Sequence, residues 1–112
     1  MTTGFANEAA HIKEVGQLST ADIARGTGSD ESTVRAWLHE TRSPSGGRAE
    51  RLVELSSIVE RLTQVISPVY VQVWLRKPNM LLGDEKPIDL IAGGHYRRVS
   101  RVVSGLEDSA IS

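Results

Sequence analysis

Cysteine is missing from all 112 residues, which removes disulfides, thiolate zinc sites and cysteine nucleophiles at once and makes a reducing compartment the natural setting. Long apolar runs are missing too. None approaches the roughly 20 residues needed to span a bilayer, and the first residues show neither an apolar signal-peptide core nor an Arg-rich presequence. A soluble, cytoplasmic protein is expected. Net charge is nearly absent at −1, and sequence-independent affinity for DNA comes largely from basic side chains that neutralise phosphates. Any DNA binding must therefore rest on local clustering. Catalytic motifs are also absent: His11, His39 and His95 lie far apart in the sequence, no His-x-x-x-His spacing occurs, and there is neither a P-loop nor a nucleophile elbow. Gly93-Gly94 is too short to cradle a phosphate and reads as a helix stop. The chain is not expected to be an enzyme or to carry a cofactor or metal.

What is present is an ordinary folded composition, 39% apolar and 24% charged, with room for one compact domain or two small helical subdomains sharing a core. In the first half, Ala9, Ile12 and Val15 to Leu18 recur at helical spacing around Gly16, after a frayed opening at Met1–Gly4. Ser19-Thr20-Ala21-Asp22 is a capping-box start, and that helix ends in Arg25-Gly26-Thr27-Gly28, where a glycine tolerates the positive φ of a tight turn. A third helix starts at Ser29 or Asp30, with Val34, Trp37 and Leu38 on one apolar face; Trp37 is read as core. Ala24, Gly28 and Val34 occupy the small, glycine and aliphatic positions at which two helices of a helix-turn-helix cross closely. In that reading Ser32, Thr33 and Arg35 face base edges in a major groove, and Arg42 with Arg48 meets phosphate. The alternative is a trihelical scaffold. Residues 1–50 hold five basic side chains against seven acidic ones, and Asp30 and Glu31 stand at the tip of the supposed reading helix, where their charges oppose phosphate.

Thr41 to Gly47 concentrates breakers and marks a linker. Beyond it, Leu52, Leu55, Val59, Leu62 and Ile66 make an apolar seam along a helix of about five turns, flanked by Ile58 and Val65. Such a seam serves a homodimer as well as an internal core. Arg51, Glu54, Ser57, Glu60, Arg61 and Gln64 lie off the seam as a solvated face. Ser67-Pro68 restarts a helix whose apolar side is expected to hold Tyr70, Val73 and Trp74, and Pro78 stops it. Leu81 and Leu82 then plug a gap, Pro87 starts a short helix and Gly93 ends it.

The order Trp74, Pro78-Asn79, Leu81-Leu82, Gly83, Pro87-Ile88-Asp89-Leu90-Ile91, Gly93-Gly94 and a closing Val99, Val102, Val103, Leu106 helix resembles the toxin-binding domain of Xre/MbcA/ParS antitoxins. The resemblance covers about residues 50–112. It implies an all-α fold: an N-terminal helix-turn-helix region over 1–45, followed over 46–112 by the long helix and a helical toxin-binding domain. It also implies that the chain is the antitoxin of a type II toxin-antitoxin system. The partner would be a RES-domain toxin that degrades NAD, blocked at its active site by the antitoxin's C-terminal segment. Here that segment corresponds to Arg101, Ser104, Leu106, Glu107, Asp108, Ile111 and Ser112.

Two further expectations concern that end. Glu107, Asp108 and the terminal carboxylate would act as an anionic plug in a pyrophosphate-binding site, the alternative being a frayed terminus. Arg97, Arg98 and Arg101 form a basic stripe, solvated by default and able to steer association if the partner's rim is acidic. A homodimer and autorepression through operator DNA complete the expectation. The competing reading is a stand-alone helix-turn-helix transcription regulator whose second half only dimerises.

Overall fold

Residues 4–111 are described by the structure, a computed structural model, with side chains described from position 7 to position 110. The described residues form helices without a strand: α1 (Gly4–Val15), α2 (Thr20–Thr27), α3 (Glu31–Leu38), α4 (Gly46–Thr63), α5 (Pro68–Arg76), a 3-10 turn (Met80–Leu82), α6 (Pro87–Ala92) and α7 (Tyr96–Ile111). The fold is therefore all-α. Of the opening predicted to fray, positions 1–3 lie outside the described residues, and Gly4 already belongs to α1.

Local chemistry sets most boundaries. The Ser19 hydroxyl accepts from the Asp22 N–H at 3.0 Å while the Asp22 carboxylate accepts from the Ser19 N–H at 3.0 Å, so two free donors at the start of α2 are satisfied reciprocally. Gly28 ends α2 at φ +70°, a left-handed conformation that costs a Cβ-bearing residue more. Asp30 then caps α3, its Oδ1 accepting from the Thr33 N–H at 2.8 Å. That bond, with further hydrogen bonding from Thr33 and Ser32, holds the Asp30 carboxyl down at about 2. Pro68 and Pro87 occupy the first turns of α5 and α6, where a missing N–H costs nothing.

The core is continuous from α1 to α7. Ala9, Ile12, Leu18, Ile23, Val34 and Trp37 join Leu52, Leu55, Ile58, Val59 and Leu62 of α4, and these join Val71, Leu75, Leu82, Ile88, Ile91, Val99 and Val103. The long helix α4 packs on α1 and α2 on one side and on α5, α6 and α7 on the other. Its seam is thus consumed inside one chain. Close crossing of α2 over α4 and α6 depends on Gly26, where a Cβ would stand 2.9 Å from Leu55 Cδ2 and 3.3 Å from Ile88 Cγ1.

Two expectations for the second half change. Tyr70 and Val73 are exposed, and α5 buries Val71 and Leu75 instead, with Trp74 half-buried. The segment Val-Tyr-Val-Gln-Val-Trp-Leu is apolar on both sides, so periodicity alone does not choose a face; packing against α4 and α6 does. Only Leu82 plugs the core, while Met80 and Leu81 are 84% and 79% exposed, because a three-residue 3-10 turn cannot turn successive side chains inward together. Gly93 caps the end of α6, as its position after the helix suggested, and the left-handed turn follows at Gly94, at φ +88°.

Ion pairs tie distant segments. Arg76 meets the buried Asp22 carboxylate through Nε at 2.7 Å and Nη2 at 2.9 Å, joining α5 to α2. Arg25 grips Asp89 through Nε at 2.7 Å and Nη2 at 2.9 Å, joining α2 to α6. Between α1 and α4, His11 contacts Glu60 and the Ser56 hydroxyl donates to Glu8.

The hydrogen bond to Glu60 raises His11 above its ordinary 6.5, with Glu8 and Glu14 adding to the effect and burial opposing it. A raised folded-state value means that the contact stabilises fully below about pH 6.5 and loses its contribution as pH rises through the higher folded value. Both side chains are 46% exposed, so screening limits the contribution to under about 1 kcal/mol. Urea titrations from pH 5.5 to 9 should therefore show wild type losing slightly more stability with rising pH than His11→Gln does. Parallel curves would contradict this.

Candidate docking surface

The closing helix α7 is amphipathic, and its inner side carries two stripes. Val99 and Val103 are buried, and Val102 and Leu106 pack against the core half-buried. Beside them runs a polar stripe, Tyr96, Ser100, Ser104 and Glu107, spaced 4, 4 and 3 residues apart, so that all four share one face.

One side chain of α4 meets most of that polar stripe. Arg61 Nη1 donates to Ser100 Oγ at 2.7 Å, and Nη2 donates to Ser104 Oγ at 3.0 Å, to the Ser100 carbonyl at 3.2 Å and to Glu107 Oε1 at 2.7 Å. Its Nε lies 3.2 Å from both Glu107 oxygens. The Glu107 carboxyl is accordingly held below the usual carboxylate range by Arg61, and Arg61 is raised chiefly by Glu107. Tyr96 Oη sits 3.2 Å from Ser57 Oγ. That hydrogen bond, helped by Ser100 and Arg61, lowers the phenol below its ordinary value. At the start of α7, Arg98 donates to Glu85 at 3.2 Å and to the Leu82 carbonyl at 3.3 Å.

The residues assigned to the C-terminal docking segment fall into three groups. Arg101 and Ser104 are exposed on α7, although Ser104 also accepts from Arg61. Leu106 and Glu107 are half-buried and Asp108 is exposed. The side chain of Ile111 and all of Ser112 lie outside the described residues. Helix α7 continues to Ile111. Glu107 is an anion already matched by a guanidinium. Beside it, Gln64, Val65, Glu107 and Ala110 line a groove of about 320 Å³.

The residues assigned to DNA lie elsewhere, for α3 packs on α1 and α2 whereas α7 packs on α4, α6 and the 3-10 turn. Ser32, Arg35 and Arg42 are exposed. Thr33 is only 8% exposed and lies with Val34 and Trp37 among the buried residues of α3, so the structure does not present it to a base edge. Ser32 donates to Asp30 at 3.0 Å, and Arg35 stands 3.9 Å from Glu31. Arg48 is exposed at the start of α4.

The reading of Arg51, Glu54, Ser57, Glu60, Arg61 and Gln64 as a solvated face missed Arg61. Its partners lie 39 to 46 positions away, and α4 alone gives no hint of them. The detectable signal was on α7, where a serine-serine-glutamate stripe runs alongside the valines. Among the described residues no cluster of three or more His, Asp or Glu is placed to hold a metal, and no helix is long and apolar enough to cross a membrane.

No protein-family model matches the chain. Individual proteins do. The mycobacterial cidal antitoxin MbcA of Mycobacterium tuberculosis is 30% identical over 76 residues, covering 68% of this chain and 67% of the relative, and its Mycobacterium bovis counterpart matches equally. A probable mycobacterial cidal antitoxin of M. tuberculosis is 29% identical over 93 residues, 83% of this chain and 79% of the relative. A chain in the crystal structure of the M. tuberculosis MbcT-MbcA toxin-antitoxin complex superposes with a TM-score of 0.84, at 24% identity and 96% coverage of both chains. That likeness concerns the fold, whereas the sequence relation carries kinship. On that kinship the chain belongs to the MbcA-type antitoxin family.

Proposed function

We propose that the chain is the antitoxin of a toxin-antitoxin pair and acts by binding, without catalysis of its own: it docks a partner toxin protein and silences it. The observation that carries this reading is the kinship with MbcA antitoxins over two thirds of the chain. The finer proposal is that the toxin is a RES-domain enzyme that degrades NAD, and that α7 with its C-terminal residues blocks the active site. It is supported by the block at residues 74–94 and by the way α7 is presented. The helix is fastened from within by Arg61, leaving Arg97 and Arg101 exposed on its outer side. Residues 46–112 would carry this role, and residues 1–45 the second one.

That second role is repression of the protein's own operon through α3, with Ser32 and Arg35 toward bases and Arg42 and Arg48 toward phosphate. Thr33 drops out of the set because it is buried. A homodimer belongs to the proposal as well. It would form through a surface other than the α4 seam, which the core consumes.

The test is to co-express the chain with the protein encoded beside it, purify through one tag and follow NAD loss. Co-elution at micromolar concentration with NAD consumption arrested supports the proposal. Separate elution with undiminished NAD loss removes it. For DNA, a low-salt mobility shift with the operator should be weakened by Arg42→Ala across all sequences and altered in base preference by Arg35→Ala. No shift at low salt would remove that part alone.

A further inference from the structure

We propose that Arg61 is the positioning residue of the docking helix, fixing the rotation of α7 and keeping its last turns helical so that its outer face is formed before a partner arrives. This rests on the reading of α7 as the docking element.

Apolar anchoring of α7 thins out toward its end. Val99 and Val103 are fully buried, Leu106 only partly, and Ser109 and Ala110 are exposed. Gly105 lies within this stretch, exposed and with open space where a Cβ would be, and a glycine inside a helix weakens it by leaving more backbone freedom to be lost. No basic residue stands in the last turn to offset the free carbonyls. Left to propensity and burial, residues 104–111 would be the weakest part of α7.

Arg61 reaches into that stretch. Its guanidinium binds Ser100 through both hydroxyl and carbonyl, Ser104 through its hydroxyl and Glu107 through its carboxylate. It therefore spans about two helical turns. The base of the side chain is rigid, because Ile58, Val59 and Leu62 beside it on α4 are completely buried. A planar fork with fixed donor directions can hold Ser100 and Glu107 together, whereas a lysine ammonium, a point donor, cannot. A helix held in its bound conformation spares the partner the entropy of ordering it, and affinity falls in proportion to the fraction of molecules no longer competent.

The experiment measures amide exchange of the free chain and affinity for the co-purified toxin, for wild type, Arg61→Lys, Arg61→Met and the swap Arg61→Glu with Glu107→Arg. The inference expects faster exchange at residues 104–110 in both single variants, unchanged exchange in α1 to α3, and affinity weakened at least tenfold in Arg61→Met. Arg61→Lys should fall between, and the swap should recover part of the lost exchange protection at residues 104–110, read in exchange alone because Glu107 itself belongs to the docking segment. Arg61→Lys keeps the charge and stem, so it serves should Arg61→Met fail to fold. A merely structural role would lower the melting temperature while leaving affinity below the melt within twofold, and that result overturns the inference. If wild type itself does not bind the toxin, the docking reading is overturned and the inference falls with it.

Discussion

Trp37→Ala should lower the unfolding free energy by about 3–5 kcal/mol, the usual cost of emptying a buried tryptophan site. Trp37 is 1% exposed and belongs to the core cluster, on a helix that packs on α1 and α2. Removing the indole leaves a cavity that three short helices must collapse around, and packed neighbours relax only in part. A domain of this size is stable by about 5–15 kcal/mol, so the variant should approach the edge of folding at 37 °C. Trp74→Ala is the internal comparison, since Trp74 packs against the core only half-buried and should cost clearly less. Urea denaturation of the two variants checks the ordering. A cost below about 1 kcal/mol for Trp37→Ala would place the indole outside the core.

Deleting residues 107–112 should separate folding from function. Every described side chain in the deleted piece is exposed or half-buried, and the apolar anchors Val99, Val103 and Leu106 remain. Circular dichroism and cooperative melting should therefore persist. Loss of Glu107 leaves Arg61 without its carboxylate partner while Ser100 and Ser104 still accept from it, so a drop of a few degrees in melting temperature is expected. If the toxin encoded beside it degrades NAD as proposed, inhibition of that loss should disappear at concentrations where the full chain inhibits completely, because a few residues carry most of an interface's energy. Full inhibition by the shortened chain would show that the final turn is not needed, and would move the docking surface toward Arg97 and Arg101.

How legible the molecule was in its sequence followed the range of the interaction. Features decided within four residues could be read directly, as with the Ser19–Asp22 capping box and the proline starts of α5 and α6, while the glycine turn closing α2 and the Ser29 or Asp30 start of α3 were narrowed to Gly28 and Asp30 by the structure. Periodicity identified the buried Leu52, Leu55, Val59 and Leu62 of α4 but not their destination, because an internal core and a dimer seam need the same spacing. It failed on α5, where both sides are apolar and only the neighbours α4 and α6 choose Val71 and Leu75 over Tyr70 and Val73.

The polar contacts that tie distant helices together were the least legible. Arg61 with Ser100, Ser104 and Glu107, Arg76 with Asp22 and Arg25 with Asp89 join residues 39 to 64 positions apart. On any single helix, each of these side chains looks like an ordinary solvated group. For the docking surface the sequence supplied the helix and the block at residues 74–94 supplied a family, but the support from α4 required the fold.

The claim that a partner protein docks on α7 is tested most directly by hydrogen exchange of the chain with and without the toxin encoded beside it. The account predicts added protection concentrated in residues 97–111, with α3 exchanging as it does in the free chain. Protection confined to α2 and α3, with α7 unchanged, would contradict it.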